Sequence, residues 1–290
     1  MGNFEILLAY IQRTLLFRAV THFLENDGIM RAGYIAFAVL FALFPFMIVV
    51  STLASLLGQA RAPDEFMEIA VYFLPGEVVD TFRPIVNTVL EQQRGGLFTV
   101  GLIGTLWAAS SGIEAFRYAL NRAYHVTKKR PMWHRRLQGL GFILLGAGIM
   151  FAAVLAVVTG PILWDLALPI LNLSSDMEWV WDVLRYGSAA LVLFVAISLL
   201  YRWLPNVTQQ WRDIIPGALY ACSAWLVLAT LYSYFLNNVG DFTLVYGSLS
   251  GIIVSMLFFF FSALIFIFGA ELNAASRDRR VGHFPGRDGF

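Results

Sequence analysis

Six long apolar runs constrain this chain more than any other feature. They fall at residues 32–57, 97–120, 137–163, 186–204, 214–236 and 248–270. A helix needs about 20 apolar residues to cross a hydrocarbon core of ~30 Å, and these runs meet that length. They are continuously apolar rather than alternating, so they predict helices and not the strands of a barrel. Composition closes the soluble alternative. Only 13% of residues are Asp, Glu, Lys or Arg, and the mean hydropathy is +0.70. A globule in water carries about 25% charged residues. The predicted fold is all-α, a polytopic membrane protein with six transmembrane helices.

Orientation follows from the cations. Of the 20 Lys and Arg, 16 fall on one side: before the first run, from the end of the second (Arg117) to the third, from the end of the fourth (Arg202) to the fifth, or after the sixth. Only Arg61, Arg83, Arg94 and Arg185 fall on the other side. The positive side is cytoplasmic, so both termini are expected inside. Trp164, Trp179 and Trp181 would mark the outer interface, and Trp133, Trp203 and Trp211 the inner one.

Residues 1–30 carry no cleavable-signal pattern. Phe4, Leu8, Ile11, Leu15, Ala19 and Phe23 recur at helical spacing and read as an amphipathic helix closed by Asn26-Asp27-Gly28. It would lie on the inner membrane surface or pack on the bundle. Residues 31–275 form the six-helix domain, and residues 276–290 a short basic tail. The first outer loop predicts two amphipathic helices, at residues 64–73 and 77–91, which would cap a cavity, lie on lipid or dock a partner.

No enzyme motif is present. There is no Gly-rich phosphate loop with its lysine and no G-x-S-x-G elbow. His22, His125, His134 and His283 lack metal-ligand spacing, and the single Cys222 excludes an internal disulfide. Neither a catalytic residue nor a cofactor nor a metal is therefore expected. Ionisable groups within the runs say more, because they are costly in lipid. Glu114 and Arg117 share a helix face and can pair. Ser110 and Ser111 lie a turn before Glu114 and Asn121 two turns after it. Glu271 closes the last run. The six residues Ser110, Ser111, Glu114, Arg117, Asn121 and Glu271 define a candidate polar cavity; the alternative is an ion pair that only locks the bundle. Gly141, Gly146, Gly148, Gly251 and Ser255 suggest close helix packing. Pro45 and Pro161 can free backbone carbonyls, whereas Pro216 reads as a helix start. The basic inner loop, Lys128-Lys129-Arg130 with Arg135-Arg136, suits anionic lipid, and nucleic acid is not expected.

Four segments carry a resemblance. They are W-A-A-S-S-G-I-E-A-F-R-Y-A-L-N-R-A-Y from Trp107 to Tyr124, A-F-A-V-L-F-A-L-F-P-F from Ala36, Y-R-W-L-P-N from Tyr201 with P-G-A at Pro216, and Y-G-S-L at Tyr246 with G-A-E-L-N from Gly269. Together they resemble the YihY/virulence factor BrkB family of bacterial inner-membrane proteins, once labelled ribonuclease BN. The resemblance implies a multi-pass inner-membrane protein of the cell envelope. The expected role is a transporter or lipid-handling factor with membrane lipids as partners. A scaffold docking an envelope protein or a second copy is the alternative, and a membrane-bound hydrolase stands third.

Overall fold

A computed structural model describes residues 15–56, 97–126, 130–149, 178–238 and 250–281. These residues form seven helices: α1 (Leu15–Glu25), α2 (Gly28–Leu56), α3 (Leu97–Ala123), α4 (residues 132–149), α5 (Glu178–Trp203), α6 (Trp211–Asn238) and α7 (Ser250–Val281). Every apolar run coincides with a helix as far as the described residues extend. The outer-loop helices, the second half of the third run, Pro161, residues 1–14 and most of the basic tail lie outside them.

The five longest helices have 26 to 32 residues. At a rise of about 1.5 Å per residue all five exceed the ~30 Å of a hydrocarbon core. Among the described residues, three segments are both long and apolar enough to cross a membrane: Tyr186–Trp203, Trp211–Leu236 and Ser250–Asp278. The apolar segment described in α2, Gly28–Ala42, is shorter. The helix α2 continues through Pro45 to Leu56.

α7 organises the bundle, packing against α6, α2 and α1, while α3 packs on α2 and α5 on α6. One core gathers Leu120, Tyr201, Leu204, Ile214, Ala218 and Phe266. A second joins Ala32, Ile35, Ala115, Ala119 and Ile267. Small residues dominate where helix axes come close, which suits a bundle whose neighbours and solvent are equally apolar. The closest approach is between α6 and α7. A Cβ on Gly217 would collide with the Gly269 carbonyl oxygen, and one on Gly269 would lie 2.8 Å from the Gly217 carbonyl oxygen. Gly141 and Gly148, by contrast, have open space where a Cβ would sit. Among the described residues, their small size is not a packing requirement.

α1 packs on the bundle through one face. Ala19 is buried and Phe23 packs edge-on against Phe268 of α7, so one apolar face docks on the bundle. Leu16, Val20 and Leu24, spaced four residues apart, form a second apolar face that is exposed. A helix with one face on protein and another bare suits the membrane interface. Asp27, at φ 55°, makes the sharp turn into α2.

Pro216 is not a helix start. α6 begins at Trp211, so the proline lies beyond the first turn and removes the amide that would bond the Arg212 carbonyl. Arg280 from α7 replaces it, donating from Nη2 to Arg212 O at 3.2 Å while its Nη1 pairs with Asp213 at 2.8 Å.

Candidate functional site

The ends of α3 and α7 bring their polar residues into two clusters. The first is built around Arg117, only 1% exposed. Its Nη1 pairs with Glu114, one turn earlier on α3. Its Nη2 donates to the Arg135 carbonyl at 3.1 Å and to Gln138 Oε1 at 3.2 Å, both on α4. Arg135 adds a second cation, with Nη1 3.6 Å from the other Glu114 oxygen. Gln138 is bridged further, accepting from Arg130 at 3.1 Å and donating to the Trp203 carbonyl. Burying a guanidinium is tolerable only with this degree of pairing. Arg136 extends the cluster outward. It donates to Ser110 and to the Trp107 carbonyl, and its guanidinium lies 3.8 Å over the Trp107 ring.

The second cluster lies where α1, α2, α6 and α7 meet. Glu271 is fully buried, with Oε1 accepting from Asn26 Nδ2 at 3.1 Å. Arg31, also buried, donates from Nη1 to the Ala119 carbonyl at 3.3 Å. Among the described residues, Glu271 Oε2 and the Nε and Nη2 of Arg31 have no hydrogen-bond partner. Two residues after Glu271, Asn273 spans three elements. Its Oδ1 accepts from the Gly217 amide at 2.7 Å, and its Nδ2 donates to the Tyr124 hydroxyl at 3.4 Å. Burial pushes the Tyr124 phenol above its ordinary range. Tyr201 donates to the Phe266 carbonyl at 2.7 Å and stacks on the Phe266 ring.

The end of α3 fixes the geometry between the clusters. Val126 N–H bonds Asn121 O at 2.8 Å and His125 N–H bonds Arg122 O at 3.1 Å, with His125 at φ 52°. This is a Schellman cap with histidine in the left-handed position. The same Asn121 accepts from the Asn206 amide at 2.8 Å through its side chain, tying the cap to the segment after α5. The His125 ring then meets His22 of α1 edge-on, with centroids 5.8 Å apart.

The six sequence-predicted residues are therefore divided. Ser110, Glu114 and Arg117 share the α3–α4 cluster. Glu271 belongs to the second cluster, and Asn121 caps α3. Ser111 is exposed. Sequence reasoning did not single out Arg31, Tyr124 or Gln138, and it read Asn26 only as a helix end and Arg136 only as part of the basic inner loop. The motifs did carry a signal: Tyr201, Asn206, Gly217, Gly269, Glu271 and Asn273 come from two of the four motif segments and converge at this end of the bundle.

Beside the first cluster lies an apolar cavity of about 290 Å³, walled by α2, α3, α4 and α5. Ala109, Gly112 and Ile113 line it from α3, and Phe142, Ile143 and Gly146 from α4. Leu145 also lines it and is 41% exposed, so the cavity opens at the bundle surface. Its volume is at the lower edge of the roughly 300–1,000 Å³ of small-molecule pockets.

Comparison with known proteins agrees with this picture. The family model described as virulence factor BrkB matches residues 19–288. YfkH of Bacillus subtilis (strain 168), which carries a ribonuclease-like name, is 31% identical over 255 residues, covering 88% of this chain and 92% of YfkH. A UPF0761 membrane protein of Paraburkholderia xenovorans (strain LB400) is 24% identical over 260 residues, 87% of this chain and 57% of that protein. One of Xanthomonas axonopodis pv. citri (strain 306) is 25% identical over 256 residues, 87% of this chain and 58% of that protein. The chain thus spans a little over half the length of these two UPF0761 relatives. No solved structure matches it. With a family match over nearly all its length, and with helices built from the motifs that mark the family, this chain is a membrane protein of the virulence factor BrkB family.

Proposed function

We propose that this protein crosses the bacterial inner membrane six times, with both termini in the cytoplasm, and handles membrane lipid. The observation that carries the reading is the apolar cavity between α2, α3, α4 and α5, open at Leu145 and adjoining the arginine-rich cluster. An amphiphile is the ligand whose two halves match those two surfaces. The distribution of Lys and Arg supports the orientation, and the lengths of α2, α3, α5, α6 and α7 support the spans. Handling means that lipid enters the bundle laterally and that its headgroup is moved or presented at the inner face.

The ribonuclease-like name stays with the Bacillus protein. Metal-dependent RNA cleavage needs clustered His and carboxylate ligands beside the nucleic acid. Glu114, the carboxylate within the arginine cluster, is committed to Arg117 and Arg135.

The test is reconstitution of the purified chain in liposomes containing a headgroup-labelled lipid, with movement between leaflets measured against Gly146→Leu, which fills the cavity. Movement that the substitution slows is the expected result. No movement by folded protein would overturn lipid transfer and favour a scaffold that docks an envelope partner.

A further inference from the structure

Arginines gather on α3 and α4 next to the residues that line the cavity. Arg117, Arg130 and Arg135 are joined in one network through Glu114 and Gln138, and Arg136 lies on α4 next to Arg135, held by Ser110 and Trp107. Arg117 is buried and committed to Glu114, Arg135 and Gln138. Arg136 differs. Both of its described hydrogen bonds leave from Nη1, to neutral acceptors on Trp107 and Ser110. Its guanidinium rests on the ring of Trp107, a residue 60% exposed. Trp133, one turn earlier on α4, is also exposed. A cation resting on one exposed tryptophan, with a second a turn away, is an arrangement expected at the headgroup level of a membrane.

The arginine and the cavity adjoin. Ser110, which holds Arg136, is flanked on α3 by Ala109, Gly112 and Ile113, which line the cavity. On α4, Phe142 and Ile143 follow Arg136 by about two turns and line the opposite wall. One short stretch of two helices thus offers a guanidinium at one end and an apolar slot at the other.

Deepening the lipid-handling reading on which it rests, we propose that this corner is a binding site for an anionic phospholipid, with its phosphate on Arg136 and part of one acyl chain in the cavity. The fork of a guanidinium matches a phosphate geometrically. Charge sets the headgroup class. Four cations against one carboxylate repel the ammonium of a zwitterionic headgroup and favour a lipid whose net charge is negative. The volume sets the stoichiometry, since about 290 Å³ admits a segment of one chain and not a whole lipid.

The experiment is native mass spectrometry of the full-length chain in detergent, titrated with phosphatidylglycerol and with phosphatidylethanolamine of matched chains. The expected result is preferential retention of phosphatidylglycerol. Arg136→Gln should weaken it roughly fivefold, the effect of about one juxtamembrane cation. Gly146→Leu should weaken retention of both lipids, and Arg136→Lys should keep most of the preference. Should the Gln variant not fold, the Lys and Leu variants still decide the matter. Equal retention of the two lipids, or binding indifferent to both Arg136→Gln and Gly146→Leu, would overturn the site. The two readings fail separately. Leaflet transfer without phosphatidylglycerol preference rejects the site and leaves lipid handling standing. Phosphatidylglycerol retention without transfer keeps the site and rejects transport.

Discussion

The Gly217 amide donates to Asn273 Oδ1 at 2.7 Å, at the point where a Cβ on Gly217 would strike the Gly269 carbonyl. The hydrogen bond and the close contact enforce each other, because the amide is reachable only when the helix backbones touch. Gly217→Ala places its methyl against backbone and, at 2.5 Å, against Asn273 Oδ1. Neither partner is the free end of a flexible side chain. Overpacking of this kind costs about 1–3 kcal/mol or more. The melting temperature in detergent should fall clearly, whereas Gly148→Ala, with open space around its Cβ, should leave it unchanged or raise it.

Glu114→Gln should destabilise the chain by about 3 kcal/mol, because it strands the buried Arg117 guanidinium. The double variant Glu114→Gln/Arg117→Met removes the stranded charge as well and should be the more stable of the two. Denaturant or thermal unfolding of the wild type, both single variants and the double would show this. A double variant at least as damaged as the sum of the singles would contradict the ion-pair account.

Acid should loosen α1. Burial, and then the neighbouring His125, hold His22 below the usual histidine range; Asp278 and Glu25 oppose this and Arg18 adds to it. A folded-state value below the unfolded one means that neutral His22 favours the docked state. That contribution is present above about pH 6.5, the unfolded value, and is lost as pH falls through the lower folded value. Limited proteolysis after Glu25 should quicken on acidification, and His22→Gln should flatten that response.

The orientation is testable through cysteine, since Cys222 is the chain's single one and is buried near the Ala190 carbonyl. In a Cys222→Ser background, Thr208→Cys and Trp133→Cys should react with an impermeant maleimide only after the inner membrane is opened. Asn238→Cys should react in intact spheroplasts. All three positions are exposed in the structure.

How much of this was legible in the sequence depended on whether the signal was periodic or pairwise. The apolar runs are long-range averages, so all six helices could be read from residues alone. The Glu114–Arg117 pair was legible because three residues separate its members on one helix. Arg136 on Ser110 and Asn273 on Gly217 were not, since 26 and 56 residues separate the partners. Pro216 was misread because the helix start was placed at the apolar boundary, Ile214. Asp213 at the third position of α6, accepting from the Gln210 amide at 3.3 Å, sets the start earlier. The glycines show the same limit. Spacing in one strand of sequence finds small residues, but only the partner helix decides which of them is touched.

The central claim is that a lipid chain occupies the apolar cavity. The most direct measurement is photocrosslinking in liposomes with a phosphatidylglycerol bearing a diazirine on its acyl chain, followed by peptide mapping. The account predicts adducts concentrated in residues 109–116 and 142–149 and diminished by Gly146→Leu. Adducts confined to the outward-facing positions of α6, such as Leu219, Val227 and Leu231, would contradict it.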